Sequence, residues 1–529
     1  MERGRNSLFN RVIQEDKNTV SVVEDIKIDK EEDPQVRTES LNLRLLLRQV
    51  LAYVPGSILP AFIGLASAAI FTRIFSTDEY GRYSLVLSII TLATALASQW
   101  LQQAINRYLP GASDIATRQE VKQVAAMGVI LVAGLLGGVT LIVLSFRNLL
   151  PAEWREFVLP GTLLMVTTSA FNPLGVVLQA EMQARQFSYY ALANAVGKLI
   201  LSLLIVFTIT RAPSGMVWGA VLSTAMLLPL LWYRAGLPLP NLLLNKELWS
   251  NYWRGIKQFA AYGFPMIGWF LAATLLNVGD RYVIQWFRGS TEVGIYSANY
   301  NLIQGAVGLI AAPILLAAHP FLMRAWGEGD RDNAGRWLGI IAEWFTVAGI
   351  MLVGATWLFS SDVATWFLGP EFRAGHVIMP AVIAGVVAWQ LGMYAHKPLE
   401  FSERTGFMFI LSLAAAGLNL ILNIIFVPIY GYVAAAYTTL VSYLVYAVIT
   451  SIAGQRILRW QIKAKQIVII IVVTAGSVFG LSQFRLLVQE DWGYGLGITV
   501  ALIGYAIVVA AALKLAGINL RHYLTSVLR

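Results

Sequence analysis

Residues 76–84 read STDEYGRYS, and residues 290–297 read STEVGIYS. Each stretch follows a long apolar run and leads into another. Aligning Glu79 with Glu292 also pairs Gly81 with Gly294, Tyr83 with Tyr296 and Ser84 with Ser297, all 213 positions apart. The match continues in order along the chain. PAEWREFVLP (151–160) resembles GPEFRAGHVIMP (369–380), and EMQARQF (181–187) resembles EFSERTGF (400–407). GKLILS (197–202) resembles GLNLILN (417–423), and GMVWGA (215–220) resembles GYVAAA (431–436). The offset drifts only between 213 and 220. Ordered matches at a nearly constant offset imply that one unit is written twice.

The medium in which that unit folds follows from composition. Of 529 residues, 57% are hydrophobic and 13% are charged, whereas soluble domains carry about a quarter charged residues. An apolar excess of this size along the whole chain points to a membrane protein. Fourteen runs are long enough to cross a hydrocarbon core, which takes about 20 residues of helix. They lie near 50–72, 84–106, 124–146, 157–179, 189–210, 215–234, 261–287, 297–322, 337–359, 376–396, 407–427, 432–453, 466–484 and 494–514. Pro55, Pro60, Pro173, Pro265 and Pro313 fall within them as expected kinks.

The connections alternate in charge. With the N-terminus inside, the inner connections carry 22 Lys and Arg and the outer ones 8. This positive-inside bias predicts an N-in, C-in topology. It also accounts for most of the net charge of +9 without any nucleic-acid partner. Spans one to six match spans seven to twelve, and two spans follow. Six is even, so both copies enter the membrane in the same direction, as parallel repeats about an axis along the membrane normal. The expected organisation is therefore all-α and integral to the membrane. A polar cytoplasmic tail occupies 1–40, with seven Lys/Arg and ten Asp/Glu. Six-helix halves follow over 41–235 and 251–455, joined by a linker at 236–250, and a further helix pair covers 456–529. A membrane-surface helix is expected after Arg234, where two prolines precede NLLLNKELWSNYW (241–253).

The chain resembles a known family through TRIFSTDEYGRYS (72–84), NVGDRYVIQWFRGSTEVGIYS (277–297) and LGPEFRAG (368–375). These stretches, with the two-by-six-plus-two layout, are similar to the polysaccharide transporters of the multidrug/oligosaccharidyl-lipid/polysaccharide exporter superfamily, the Wzx-type flippases. The resemblance covers roughly 41–529. It implies two bundles around a V-shaped cavity. It also implies transfer of a polyprenyl-pyrophosphate-linked oligosaccharide from the cytoplasmic to the outer leaflet of the inner membrane, for cell-surface polysaccharide assembly. Drug exporters and the peptidoglycan lipid II flippase share the architecture, so a multidrug or small-solute antiporter is an alternative. A membrane glycan polymerase or ligase is a third reading, disfavoured by short outer loops without a dense charged cluster. Bilayer lipids and other assembly proteins are the expected partners.

Candidate site residues follow from the cost of polar groups inside a bilayer. Within the expected spans stand Lys198, Asp280, Arg281 and Glu343. Lys198 is about ten residues into its span, hence ~15 Å deep, where an ammonium attracts a pyrophosphate or pairs within the bundle. Arg281 either binds substrate or snorkels to the outer headgroups. Consecutive residues do not share a helix face, so Asp280 needs a partner of its own, in gating or coupling. Glu343 is either a coupling site or an ion-pair partner for Arg324 or Arg336. Glu181/Arg185 and Glu400/Arg404 stand at duplicate positions as i,i+4 pairs, as braces or as an inner gate. Asn106 in span two, with Asn299, Asn301 and Gln304 in span eight, offers amides to sugar hydroxyls or to neighbouring helices. No Cys is present and the four His are dispersed, so no metal or cofactor is expected. No GxxxxGK[ST] loop occurs, which argues against direct ATP use. Gly134 and Gly138 form a GxxxG, expected to pack closely against a helix.

Overall fold

The computed structural model describes residues 55–56, 58–112, 114–239, 246–492 and 494–517. The polar tail expected at 1–40 lies outside them, as do parts of the linker and the C-terminus. Helices joined by short connections make up the described residues, with no strand among them. In order the helices are α1 (Ile58–Ile74), α2 (Thr77–Tyr108), α3 (Ile115–Ser145), α4 (Ala152–Ala180), α5 (Ala184–Thr208) and α6 (Ser214–Ala235). After the linker come α7 (Lys246–Arg288), α8 (Ser290–Gly327), α9 (Arg331–Phe367), α10 (Met379–Ala395), α11 (Lys397–Phe401), α12 (Thr405–Gln455), α13 (Ala464–Trp492) and α14 (Tyr494–Leu515). A 3₁₀ segment, Pro370–Ile378, precedes α10. Each apolar run named above overlaps one of these helices over its described residues. Among the described residues ten are long and apolar enough to span a membrane, or eleven counting the bent α7.

Local chemistry fixes the boundaries. The Ser76 hydroxyl accepts the Glu79 N–H, and the Glu79 carboxylate accepts the Ser76 N–H at 2.9 Å. This capping box satisfies two N–H groups that the first turn of α2 leaves unpaired. α7 bends by 49° between Phe264 and Met266, where Pro265 supplies no N–H to the helix. The long α12 breaks at Gly431, whose φ of 63° suits glycine, between the two runs expected there.

The end of α4 and the end of α11 close in the same way. Gln183 N–H donates to Leu178 O and Met182 N–H to Gln179 O; Arg404 N–H donates to Leu399 O and Glu403 N–H to Glu400 O. Each is a Schellman closure around a left-handed residue, with φ 57° at Met182 and 58° at Glu403. The two matched stretches thus share a backbone form as well as residues. That geometry corrects one expectation: the helix ends before Arg185 and Arg404, so the i,i+4 pairs do not form. Glu181 instead pairs with Lys122 at 2.6 Å, and Glu400 with Lys397 at 2.7 Å. The Gly134–Gly138 expectation fails too, since a Cβ at either would meet nothing within 4 Å.

α2 is the spine of the bundle. It packs against α4 among the N-terminal helices and against α7 and α8 beyond the linker. Buried Leu101, Ile105, Leu174 and Val217 form one core with the first part of α7, through Tyr252, Ile256 and Phe259. A second core joins Phe71, Phe75 and Tyr80 to Tyr296, Tyr300 and Phe372. The final pair, α13 and α14, is fastened to α9 by Asp362, fully buried, whose carboxylate takes Arg485 at 2.7 Å and the Tyr494 hydroxyl.

Breaking a buried ion pair on one side leaves an uncompensated charge and costs about 3–5 kcal/mol. Asp362→Ala is therefore expected to lower the thermal midpoint of the purified protein markedly. Replacing both partners by apolar residues, Asp362→Leu with Arg485→Met, is expected to recover most of that loss. A double variant as unstable as the single one would contradict the assignment.

Candidate functional site

The twin turns that open the sequence meet each other in the fold. A Cβ at Gly81 would lie 1.9 Å from the Ser290 carbonyl oxygen, and one at Gly294 would lie 1.9 Å from that of Thr77. Ser290 is the counterpart of Thr77 at the 213-residue offset, so each glycine meets the residue its partner would. Only residues without side chains let two helices approach this closely. One turn below stand Ser84 and Ser297, also counterparts, both buried with hydroxyls that have no hydrogen-bond partner.

One further turn down, the seam holds Arg281 of α7, 6% exposed. Its Nη1 donates to Ser88 Oγ of α2 at 2.9 Å, and its Nη2 to Asn301 Oδ1 of α8 at 2.7 Å. Ser88 and Asn301 are again counterparts at 213, so one guanidinium bridges equivalent positions of the two matched segments. Its Nε has no partner, and no carboxylate among the described residues pairs with it. Its own counterpart position is Ala68, so the cation belongs to one copy alone. It is a buried guanidinium held by neutral acceptors, with one buried donor unused.

A second layer of contacts seals the same end. Arg73 Nη1 and Nη2 donate to the carbonyls of Phe367 and Trp366 at 3.0 and 2.7 Å, a cation on the carbonyl end of α9. Gly369 N–H donates to Thr72 Oγ1, and Thr77 N–H to Glu371 Oε2 at 3.2 Å. The Tyr80 ring stands edge-on to Phe372 with centroids 5.5 Å apart.

The remaining expected site residues separate into distinct places. Asp280 faces away from Arg281, as consecutive helical residues must. It is wholly buried among the C-terminal helices, accepting from the Tyr296 hydroxyl, from Thr439 Oγ1 at 2.7 Å and from Asn423 Nδ2 at 3.3 Å. The Asn299 amide nitrogen is committed to backbone, its Nδ2 donating to Ile295 O and Phe372 O at 2.8 and 2.9 Å, while its buried Oδ1 has no partner. It holds the 3₁₀ segment in place and is fully buried in this arrangement. Gln304 is half-buried three residues past Asn301, and Asn106 is exposed at the far end of α2. Lys198 is half-buried on α5, which packs on α6 and α4; no described side chain pairs with it. Glu343 does not pair with Arg336; its Oε2 accepts the Lys463 N–H at 3.1 Å. The Arg324 side chain lies outside the described ones.

Ser88, Thr72, Arg73 and Gly369 also make contacts at this seam, and span counting passes over them. Their signal lies in the repeat: the alignment continued past Ser84 pairs Ser88 with Asn301.

The chain matches the family described as polysaccharide biosynthesis protein over residues 46–326, more than half its length. It belongs to that family. No curated protein sequence matches it. Among solved structures, a lipid II flippase, MurJ, in an inward closed conformation is similar with a TM-score of 0.70 at 13% identity, over 87% of this chain and 98% of that one. An inward-facing multidrug resistance MATE transporter gives 0.57 at 16% identity, over 77% and 94%. The Vibrio cholerae MATE transporter VcmN gives 0.56 at 13% identity, over 79% and 98%. The polysaccharide biosynthesis family member described here thus has the transporter fold shared by MurJ and the MATE proteins.

The glycine contact is directly testable, because the chain has no native cysteine. Forcing extra methyl groups into a packed contact costs about 1–3 kcal/mol. Gly294→Val is expected to raise the labelling rate of a Ser84→Cys reporter by a membrane-impermeant thiol reagent about tenfold or more. Unchanged labelling would show that the glycines do not govern access.

Proposed function

We propose that this protein is a flippase that moves a polyprenyl-pyrophosphate-linked oligosaccharide between leaflets of the cytoplasmic membrane. The direction is from the inner to the outer leaflet, for cell-surface polysaccharide assembly. The helices over 41–235 and 251–455 act as two halves that rock about the seam, with 236–250 as the link and 456–529 as an appended pair. The topology is N-in, C-in with fourteen spans, so the twin turns face outward and the arrangement described is closed on that side. Family membership and the MurJ-like fold support transport of a lipid-linked substrate.

The observation that carries the reading is Arg281. A cation buried at the seam with no carboxylate directly paired to it is costly to keep, and a pyrophosphate supplies a contacting counter-charge. When the halves part, Ser88 leaves with α2 and the guanidinium loses one of its acceptors. Asn301 and Gln304 remain beside it on α8, and Lys198 adds a second cation from the N-terminal half. Asp280, held by three polar partners, fixes the α7 helix that carries Arg281 and is the carboxylate placed for coupling. Glu181 with Lys122 and Glu400 with Lys397 brace the inner ends of the two halves, with Arg185 and Arg404 exposed beside them. A drug antiporter of the same fold would be expected to offer organic cations a carboxylate at the seam; the group found there has the opposite sign.

The test is leaflet exchange in proteoliposomes with a defined pyrophosphate-linked sugar lipid. Arg281→Ala is expected to slow exchange at least tenfold, since charge-assisted contacts to an anion are worth about 1.5–3 kcal/mol. Arg281→Lys is expected to fall between, keeping charge without the fork. Lys198→Ala is expected to weaken exchange independently. Full exchange in Arg281→Ala would remove the leading site residue, and export of organic cations by the unaltered protein would favour the antiporter.

A further inference from the structure

Away from the seam, at the opposite end of the bundle, the chain between α12 and α13 forms an extended strap. Along it Leu458 and Trp460 are buried, while Arg459 and the run from Gln461 to Lys463 are exposed. The strap is pressed onto the first turns of α9. A Cβ at Gly335 would lie 2.2 Å from Arg459 O, and one at Gly339 would lie 2.5 Å from Gln461 O. Glu343, 8% exposed, fixes the far end by accepting the Lys463 N–H.

A cavity of about 490 Å³ opens between strap and helix, lined by Arg336, Glu343, Trp344, Arg459, Trp460 and Lys463 among others. Three cations face it against one carboxylate, and that carboxylate already holds backbone. No described carboxylate pairs with Arg336 or Arg459. The Trp460 Nε1, buried, has no hydrogen-bond partner. Trp344 packs below on the apolar contact of α9 with α13, beside Val347 and Ile470. Next to it α13 presents exposed Val468, Ile471 and Val472, a surface suited to acyl chains. Tryptophan at the level where helices leave the membrane marks the headgroup region, and basic pockets between spanning helices on the cytoplasmic side take anionic headgroups.

We infer that this pocket is a binding site for the phosphodiester headgroup of an anionic bilayer phospholipid, distinct from the seam. Arg336, Arg459 and Lys463 supply the positive charge. The Gly335 and Gly339 contacts hold the strap rigid, so the cations converge before the lipid arrives. The site depends on the chain spanning a bilayer and is independent of which substrate crosses at the seam.

The experiment titrates the purified full chain with phosphatidylglycerol and with phosphatidylcholine, reading bound lipid by native mass spectrometry. Phosphatidylglycerol is expected to bind at least tenfold more tightly. Each basic residue near a membrane surface contributes enough that losing two, in R336Q/R459Q, is expected to cost roughly thirtyfold in phosphatidylglycerol affinity. Phosphatidylcholine binding should not move. Both arginines are exposed and outside any ion pair with a described carboxylate, so the double variant should fold; R118Q/R254Q, at exposed arginines in the first turn of α3 and on α7, serves as a charge-matched control with unchanged affinity. Three results would overturn the assignment: equal binding of the two lipids, full phosphatidylglycerol affinity in R336Q/R459Q, or an equal loss in R118Q/R254Q. Displacement of phosphatidylglycerol by millimolar inorganic phosphate would also overturn it, by assigning a soluble ligand instead.

Discussion

A guanidinium buried with neutral acceptors and no directly paired carboxylate is the constraint around which this bundle is arranged. Arg281 leaves water only because Ser88 and Asn301 accept its two terminal nitrogens from opposite sides. Neither acceptor is charged, so the burial penalty is only partly offset. The hydrogen bonds exist only while α2 and α8 stay together. What keeps them together is short-range: two glycines whose backbones touch and a capping box that sets the start of α2. Closure of this end and burial of the cation are therefore one event. On the proposed cycle, opening exposes a cation that has just lost an acceptor, at the place where an anionic substrate would enter.

The matched residues 213 positions apart account for a closure that is nearly two-fold. Thr77, Gly81, Ser84 and Ser88 recur on one face of α2, and Ser290, Gly294, Ser297 and Asn301 recur at the same spacing on α8. Like faces meet, as in any isologous contact. The departures from that symmetry carry the chemistry. Arg281 has alanine at its counterpart position. The segment 366–372 reaches across to Thr72, Arg73 and Thr77, whereas its counterpart turns back on its own helices, through Arg82 with Glu153 and Arg155 with the carbonyls of Asn148 and Leu150. A symmetric scaffold thus gains one cation and one strap on a single side.

The opposite end follows a different physical logic. There the ion pairs Lys122–Glu181 and Lys397–Glu400 lie within their own sets of helices, and the strap at 458–463 lies flat on α9 through glycine contacts. Charges at this end organise local structure and leave a positive surface. Charges at the seam join distant parts of the chain.

Much of this was legible in the residues. The apolar runs located each helix, because length and hydrophobicity alone decide what can cross a hydrocarbon core. The offset between Glu79 and Glu292 exposed the repeat, and Pro265 and Ser76 marked a bend and a cap through purely local chemistry. Buried groups in the membrane pointed to Arg281 and Asp280, and their adjacency required that they face apart. What the chain alone did not disclose is which partner each polar group takes. Arg185 and Arg404 stand four residues from a glutamate, yet left-handed residues at Met182 and Glu403 end the helix first. Asn299 looks as free as Asn301, yet one holds backbone and the other holds the cation. Glu343 and Lys463 are 120 residues apart, and no periodicity links them. Sequence determined the helices and the matched segments because those depend on local residues; the fold decided which polar groups meet because hydrogen-bond partners are set by which helix faces meet.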